Sequence, residues 1–117
     1  MFSHQLHSIV HRDNRTRDRF LGLYAADELR KRMSPQSLAI VNCCNRYYRG
    51  EHWLALYQDE WEDSLEIFDS YGRNPDIYNI VLPRAAVVTY NGKQLQSINS
   101  NVCGQYCLYI CYYRARG

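Results

Sequence analysis

No run of apolar residues approaches the ~20 needed to cross a bilayer. The first ten residues are interrupted by His4, Gln5 and His7, so neither a membrane span nor a secretory leader is expected. Charge of one sign is also scarce: the formal net charge is +2, too small by itself to imply a nucleic-acid partner. Repeats, low-complexity tracts and linkers are missing, which leaves one domain over residues 1–117. The cysteines do not form pairs. There are five of them, Cys43, Cys44, Cys103, Cys107 and Cys111, and an odd set without a leader reads as reduced thiols in a soluble intracellular chain. Metal-site spacing is lacking too: Cys103, Cys107 and Cys111 share one helix face with no second pair to close a tetrahedron, so neither metal nor cofactor is expected.

What is present is a 46% hydrophobic composition, enough for a modest core, and an uneven distribution of charge. Seven basic residues fall between Arg12 and Arg32 (Arg12, Arg15, Arg17, Arg19, Arg30, Lys31, Arg32) against four acids, whereas Gln58 to Asp69 holds six acids and no base. Two solvated faces account for this pattern, and the basic one is also a candidate footprint for non-specific DNA, with Tyr47-Tyr48-Arg49 as a stacking element.

Helical spacing of Phe2, Leu6, Ile9 and Val10 predicts a short amphipathic N-terminal helix, and the Arg/Asp stretch from His11 to Arg19 reads as a loop or solvated helix end. Compact apolar runs predict strands at Ser37 to Asn42, His52 to Tyr57 and Ser64 to Phe68. Asn74 and Pro75 carry the signature of a helix start for Asn74 to Val81. Asn91-Gly92 between Val87–Tyr90 and Lys93–Ser97 predicts a hairpin. Cys103, Cys107, Ile110 and Cys111 at i, i+4, i+7 and i+8 predict a final helix, with cap candidates Asn99, Ser100 and Asn101. The sum is an α+β fold, a small mixed or antiparallel sheet with flanking helices.

Two of these elements bring chemistry together. If Tyr57 pairs with Ser64 in an antiparallel hairpin, His52 falls opposite Asp69, and opposed side chains have Cβ atoms about 4.5–5.5 Å apart, within reach of an imidazole–carboxylate hydrogen bond. Cys103 stands at the predicted start of a helix, where free backbone N–H groups and the dipole favour a thiolate. Gln96, seven residues earlier, is a candidate oxyanion donor. Taken singly, each has a simpler explanation: a small buried hydrophobe, a strand histidine, a turn-capping amide. Together, nucleophile, base, orienting acid and donor form the minimal set for cysteine acyl transfer.

The motif string Gly50-Glu51-His52-Trp53-Leu54-Ala55, Ile67-Phe68-Asp69-Ser70-Tyr71-Gly72, then Gln96 and Cys103-Gly104 resembles the adenovirus-type cysteine proteases. Relatives of these occur in Polinton or Maverick transposons, and the wider superfamily includes the SUMO and ubiquitin-like protein proteases. Phe20-Leu21-Gly22-Leu23-Tyr24 and Leu38-Ala39-Ile40-Val41-Asn42 extend the likeness to most of the chain. The resemblance implies a papain-superfamily-like core with the nucleophile at a helix N-terminus. It also implies peptide hydrolysis by His52, Asp69 and Cys103, with Gln96 in the oxyanion hole. The implied substrates are polypeptides cut after a small residue such as glycine, in viral-type structural precursors or ubiquitin-like tails. Non-specific DNA is an implied partner, and the implied setting is a nucleus, a cytoplasm or a virion.

Three departures bear on this. The viral enzymes carry Glu where Asp69 stands, and the SUMO-protease branch carries Asp. No cysteine lies between Asp69 and Gln96 to receive the peptide activator of the viral enzymes. The chain ends fourteen residues after Cys103, which suggests C-terminal truncation. A catalytically dead relative serving as a DNA- or protein-binding scaffold is the competing expectation.

Overall fold

The structure, a computed structural model, describes residues 3–42, 52–59, 63–78, 80–94 and 103–116. In chain order the elements are α1 (Ser3–Arg12), α2 (Asn14–Arg19), β1 (Phe20–Ala25), β2 (Leu38–Asn42), β3 (Trp53–Gln58), β4 (Ser64–Phe68), a 3-10 turn (Pro75–Tyr78), β5 (Val87–Tyr90) and α3 (Cys103–Ala115). The strands form one mixed sheet in the order β1-β2-β3-β4-β5, parallel at its two outer pairings and antiparallel between β2, β3 and β4. This is the expected α+β class.

Successive side chains of a strand point to opposite faces, and both faces of this sheet are covered. On one side Leu38, Ile40, Trp53, Ala55 and Phe68 pack with Leu6 of α1 and with Cys103, Cys107, Cys111 and Ala115 of α3. On the other, Ala39, Val41, Leu54, Leu56, Leu65 and Ile67 pack under Met33, Tyr78, Ile80 and Leu82, which belong to connecting segments. Burying each large aliphatic side chain contributes about 1.5–3 kcal/mol, and the central strands hold most of them. Their apolar runs are continuous for that reason.

Several elements depart from expectation. Phe20–Ala25 is a strand, paired in parallel with β2. Of the two readings of the Arg/Asp stretch the helical one holds, with a new helix from Asn14 because the Asp13 side chain accepts the Thr16 N–H at 3.1 Å and caps it. The segment after Asn74 forms a single 3-10 turn: Ile80 and Leu82, two residues apart, both pack on the sheet, and the residue before Pro83 is disfavoured in a helix. β5 pairs in parallel with β4, and Lys93 and Gln94, the described part of the expected second hairpin strand, lie outside any strand. Residues 95–97, the cap candidates Asn99, Ser100 and Asn101, and Tyr47-Tyr48-Arg49 lie outside the described residues. The register of β3 on β4 is also displaced: Ala55 faces Phe68, Leu56 faces Ile67 and Gln58 faces Leu65, two residues from the expected pairing. Gln58 remains in the sheet because its backbone bonds Ser37 and Gln36 on the other side, and the Asp59 N–H reaches the Ser64 carbonyl at 2.9 Å.

Candidate active site

His52 immediately precedes β3, Asp69 immediately follows β4, and Cys103 is the first residue of α3. All three are buried. Extending the observed register places His52 opposite Tyr71 and diagonal to Asp69. A two-residue shift keeps both side chains on the same face of the pleat, and diagonal neighbours remain within reach of long side chains. His52 Nε2–H donates to Asp69 Oδ1 at 2.7 Å, so the expected direct opposition is replaced by a diagonal contact. Tyr71 stacks on the imidazole with ring centroids 4.4 Å apart.

The Asp69 carboxylate is the most heavily bonded group of the site. Oδ1 also accepts the Tyr71 N–H at 2.9 Å, while Oδ2 accepts the Tyr78 hydroxyl at 2.6 Å and the Arg73 N–H at 3.3 Å. The Asn91 side chain grips the Asp69 backbone at both ends: the Asp69 N–H donates to Asn91 Oδ1 at 3.0 Å, and Asn91 Nδ2 donates to the Asp69 carbonyl at 2.7 Å. Burial pushes the Asp69 carboxyl up, but His52, Tyr78 and the Tyr71 amide together outweigh it and hold the group below the usual carboxylate range.

With Nε2 bonded to Asp69, the imidazole also lies beside the Cys103 thiol, and each shifts the other. Burial raises the thiol; hydrogen bonding to His52, the backbone N–H groups of Trp53 and Gly104, and the charge of His52 lower it further than burial raises it. Burial likewise works against the imidazolium, and Asp69 and Cys103 outweigh it, so His52 is shifted upward. A thiol pushed down beside an imidazole pushed up is the electrostatic signature of a thiolate–imidazolium pair. The other α3 cysteines differ. The Cys107 thiol donates to the Trp53 carbonyl at 3.2 Å, and burial alone pushes Cys111 up to about 12.

His52, Asp69 and Cys103 are therefore brought together, and Gln96 lies outside the described residues. Sequence reasoning did not single out Tyr71, Tyr78, Asn91 or the Trp53 amide. Tyr71 lay inside the recognised motif. Asn91 carried a turn signal that Gly92, at φ +66°, satisfies, while its amide acts on another loop. Nothing in the spacing of Tyr78 announced its contact.

No family model and no curated protein matches the chain. Among solved structures the chain is similar to the ASFV pS273R protease, with a TM-score of 0.45 and 23% identity, over 68% of this chain and 34% of that one.

Proposed function

We propose that this chain is a cysteine endopeptidase in which Cys103 is the nucleophile, His52 the base and Asp69 the orienting acid. The observation that carries the reading is His52 bonded to the Asp69 carboxylate at 2.7 Å and lying beside the Cys103 thiol, which stands at the N-terminus of a thirteen-residue helix. The Cys103 thiolate attacks the scissile carbonyl carbon and forms a C–S bond as the carbonyl π electrons move to oxygen. Collapse of that oxyanion breaks the C–N bond, and His52 gives its proton to the departing amine. Water then attacks the thioester with His52 as base, releasing the acid and restoring the thiolate. The Cys103 N–H at the helix start and Gln96 are the proposed oxyanion donors. The sequence motif points to polypeptide substrates cut after a small residue, in viral-type precursors or ubiquitin-like tails.

The test is hydrolysis of a peptide library, with labelling by an active-site thiol probe. Cys103→Ala is expected to abolish turnover and rapid labelling while the far-UV spectrum and melting temperature are retained, because alanine fits the same volume. Equal hydrolysis by the variant ends this reading.

A second property, binding of polyanions such as DNA, has its own observation. Arg15 and Arg19 of α2 line a groove of about 680 Å³ with Asp18 as its acid, and the Arg114 and Arg116 that also line it are each paired with a carboxylate, Glu66 and Asp13. Salt-dependent retention of the Cys103→Ala protein on DNA tests it, and retention unchanged by Arg15→Ala with Arg19→Ala would remove the groove from consideration.

A further inference from the structure

A carboxylate that orients an imidazole must present one oxygen in a fixed direction, and rotation about its last bond exchanges the two. In Asp69 the second oxygen is tied down. Oδ2 accepts the Tyr78 hydroxyl at 2.6 Å, within the short range of charge-assisted O–H···O⁻ bonds, and the Arg73 N–H at the longer distance of 3.3 Å. Among the described residues Tyr78 and His52 are the two side chains donating to this carboxylate, and they take opposite oxygens. The Tyr78 ring also lies 5.6 Å from the His52 ring. The hydroxyl arrives from the 3-10 turn, an element separate from those carrying His52, Asp69 and Cys103.

The groups facing Asp69 are His52 ahead of β3, Tyr71 and Arg73 in the loop after β4, Tyr78 on the 3-10 turn and Asn91 after β5. Cys103 of α3 acts through His52. Each hydrogen bond to a carboxylate withdraws electron density that another donor would use. A strong donor on Oδ2 therefore weakens the pull of Oδ1 on the imidazolium while it fixes where Oδ1 points.

The geometry points to Tyr78 as a positioning residue of the proposed peptidase: its hydroxyl holds the Asp69 carboxylate in the orientation that serves His52 and limits the basicity of the imidazole. This rests on the reading of His52, Asp69 and Cys103 as catalytic.

The experiment compares the full chain with Tyr78→Phe, which keeps the ring and removes the donor. It also includes the protein carrying 3-fluorotyrosine at position 78, a stronger donor, and Tyr24→Phe. Tyr24 is on β1 and its hydroxyl accepts from Arg30 at 3.2 Å, so that variant controls for loss of a tyrosine hydroxyl that does not bond Asp69. Steady-state peptide hydrolysis and the rate of Cys103 alkylation by iodoacetamide are both followed against pH. For Tyr78→Phe, kcat is expected to fall about tenfold with KM unchanged, as befits loss of a hydrogen bond to a charged group. Its alkaline limb, and the matching step in the alkylation profile, move to higher pH. The fluorinated tyrosine moves both to lower pH, and Tyr24→Phe moves neither. Should Tyr78→Phe fail to fold, the fluorinated protein decides. Profiles that stay on the wild-type curve, or move in the opposite sense, overturn the role of Tyr78. If the wild type alkylates selectively at Cys103 with the shifts described but cleaves no peptide, the positioning role stands and the peptidase reading fails. If peptide is cleaved while the profiles stay fixed, the peptidase reading stands and the positioning role fails.

Discussion

Asp69 is a buried acid with four donors on its carboxylate and a clamp on its backbone, so its substitutions separate orientation from stability. His52→Ala removes the proposed base and is expected to cost more turnover than Asp69→Ala, which removes the proposed orienting carboxylate. Asp69→Glu still offers a carboxylate to His52, but one further methylene carries it about 1.5 Å outward, away from the Tyr71 and Arg73 amides. That variant should retain activity between those of the wild type and Asp69→Ala, with a lower melting temperature than the wild type. The pH dependence has a definite sign. The folded-state carboxyl lies below its usual range, so its contribution to stability is present above the unfolded-state pKa and is lost as pH falls through the folded one. Asp69→Asn should flatten the acid side of a stability-against-pH curve recorded by urea unfolding. An unchanged acid limb would show that Asp69 is not a source of that dependence.

At the scale of elements, the loop after β4 and the segment after β5 are fitted against each other. Gly72 has φ +69°, and a Cβ built there would lie 2.3 Å from the Lys93 carbonyl carbon and 2.6 Å from the Gln94 nitrogen. Both atoms are backbone, so a methyl group forces the two segments apart. Gly92 has a similar φ of +66°, but its nearest foreign atom is a Tyr90 ring carbon at 3.8 Å. Gly92→Ala should therefore show only the conformational cost of about 1 kcal/mol. Gly72→Ala should cost clearly more and also depress Cys103 reactivity, because the same loop carries Asp69. Equal losses in melting temperature would refute the close approach. These two segments also mark where the sequence was readable and where it was not. The strands at Leu38, Trp53 and Ser64 announce themselves as apolar runs, and the final helix as a repeating cysteine face. The register between β3 and β4 does not, since a slip of two residues returns every side chain to the same face and leaves the apolar pattern unchanged. β1 reads poorly for a related reason: all six of its residues are half-buried, so it shows neither alternation nor a buried run. The parallel docking of β5 depends on a connection whose path no local signal encodes, and Asn91-Gly92 locally imitates a hairpin.

At the scale of the molecule, the proposed triad is drawn from three elements that meet only in the folded chain: the approach to β3, the exit from β4 and the start of α3. α3 is fastened along its length. Cys107 bonds the Trp53 carbonyl near its start, Arg114 holds Glu66 of β4 through two bonds of 2.8 and 2.7 Å, and Arg116 holds the α2 cap Asp13 at 2.6 and 2.9 Å. A helix docked near its start and at its end is not expected to detach while the sheet persists, so the chain should lose its site and its fold in one step. The three described thiols report on this separately. Cys103 is lowered by the neighbouring His52, Cys107 is buried against Trp53, and Cys111 is buried and pushed up to about 12. In a Cys43→Ser, Cys44→Ser background near neutral pH, a thiol reagent should modify Cys103 rapidly, and Cys107 and Cys111 only through global opening. Along a urea titration, the preference for Cys103 should vanish with the same midpoint as the helical far-UV signal, and Cys107 and Cys111 should become reactive together at that midpoint. If Cys103 loses its preference at lower urea, the start of α3 frays independently of the sheet. If Cys107 reacts in the native protein as fast as Cys103, α3 is not seated against β3, and the proposed thiolate–imidazolium pair loses the support it depends on.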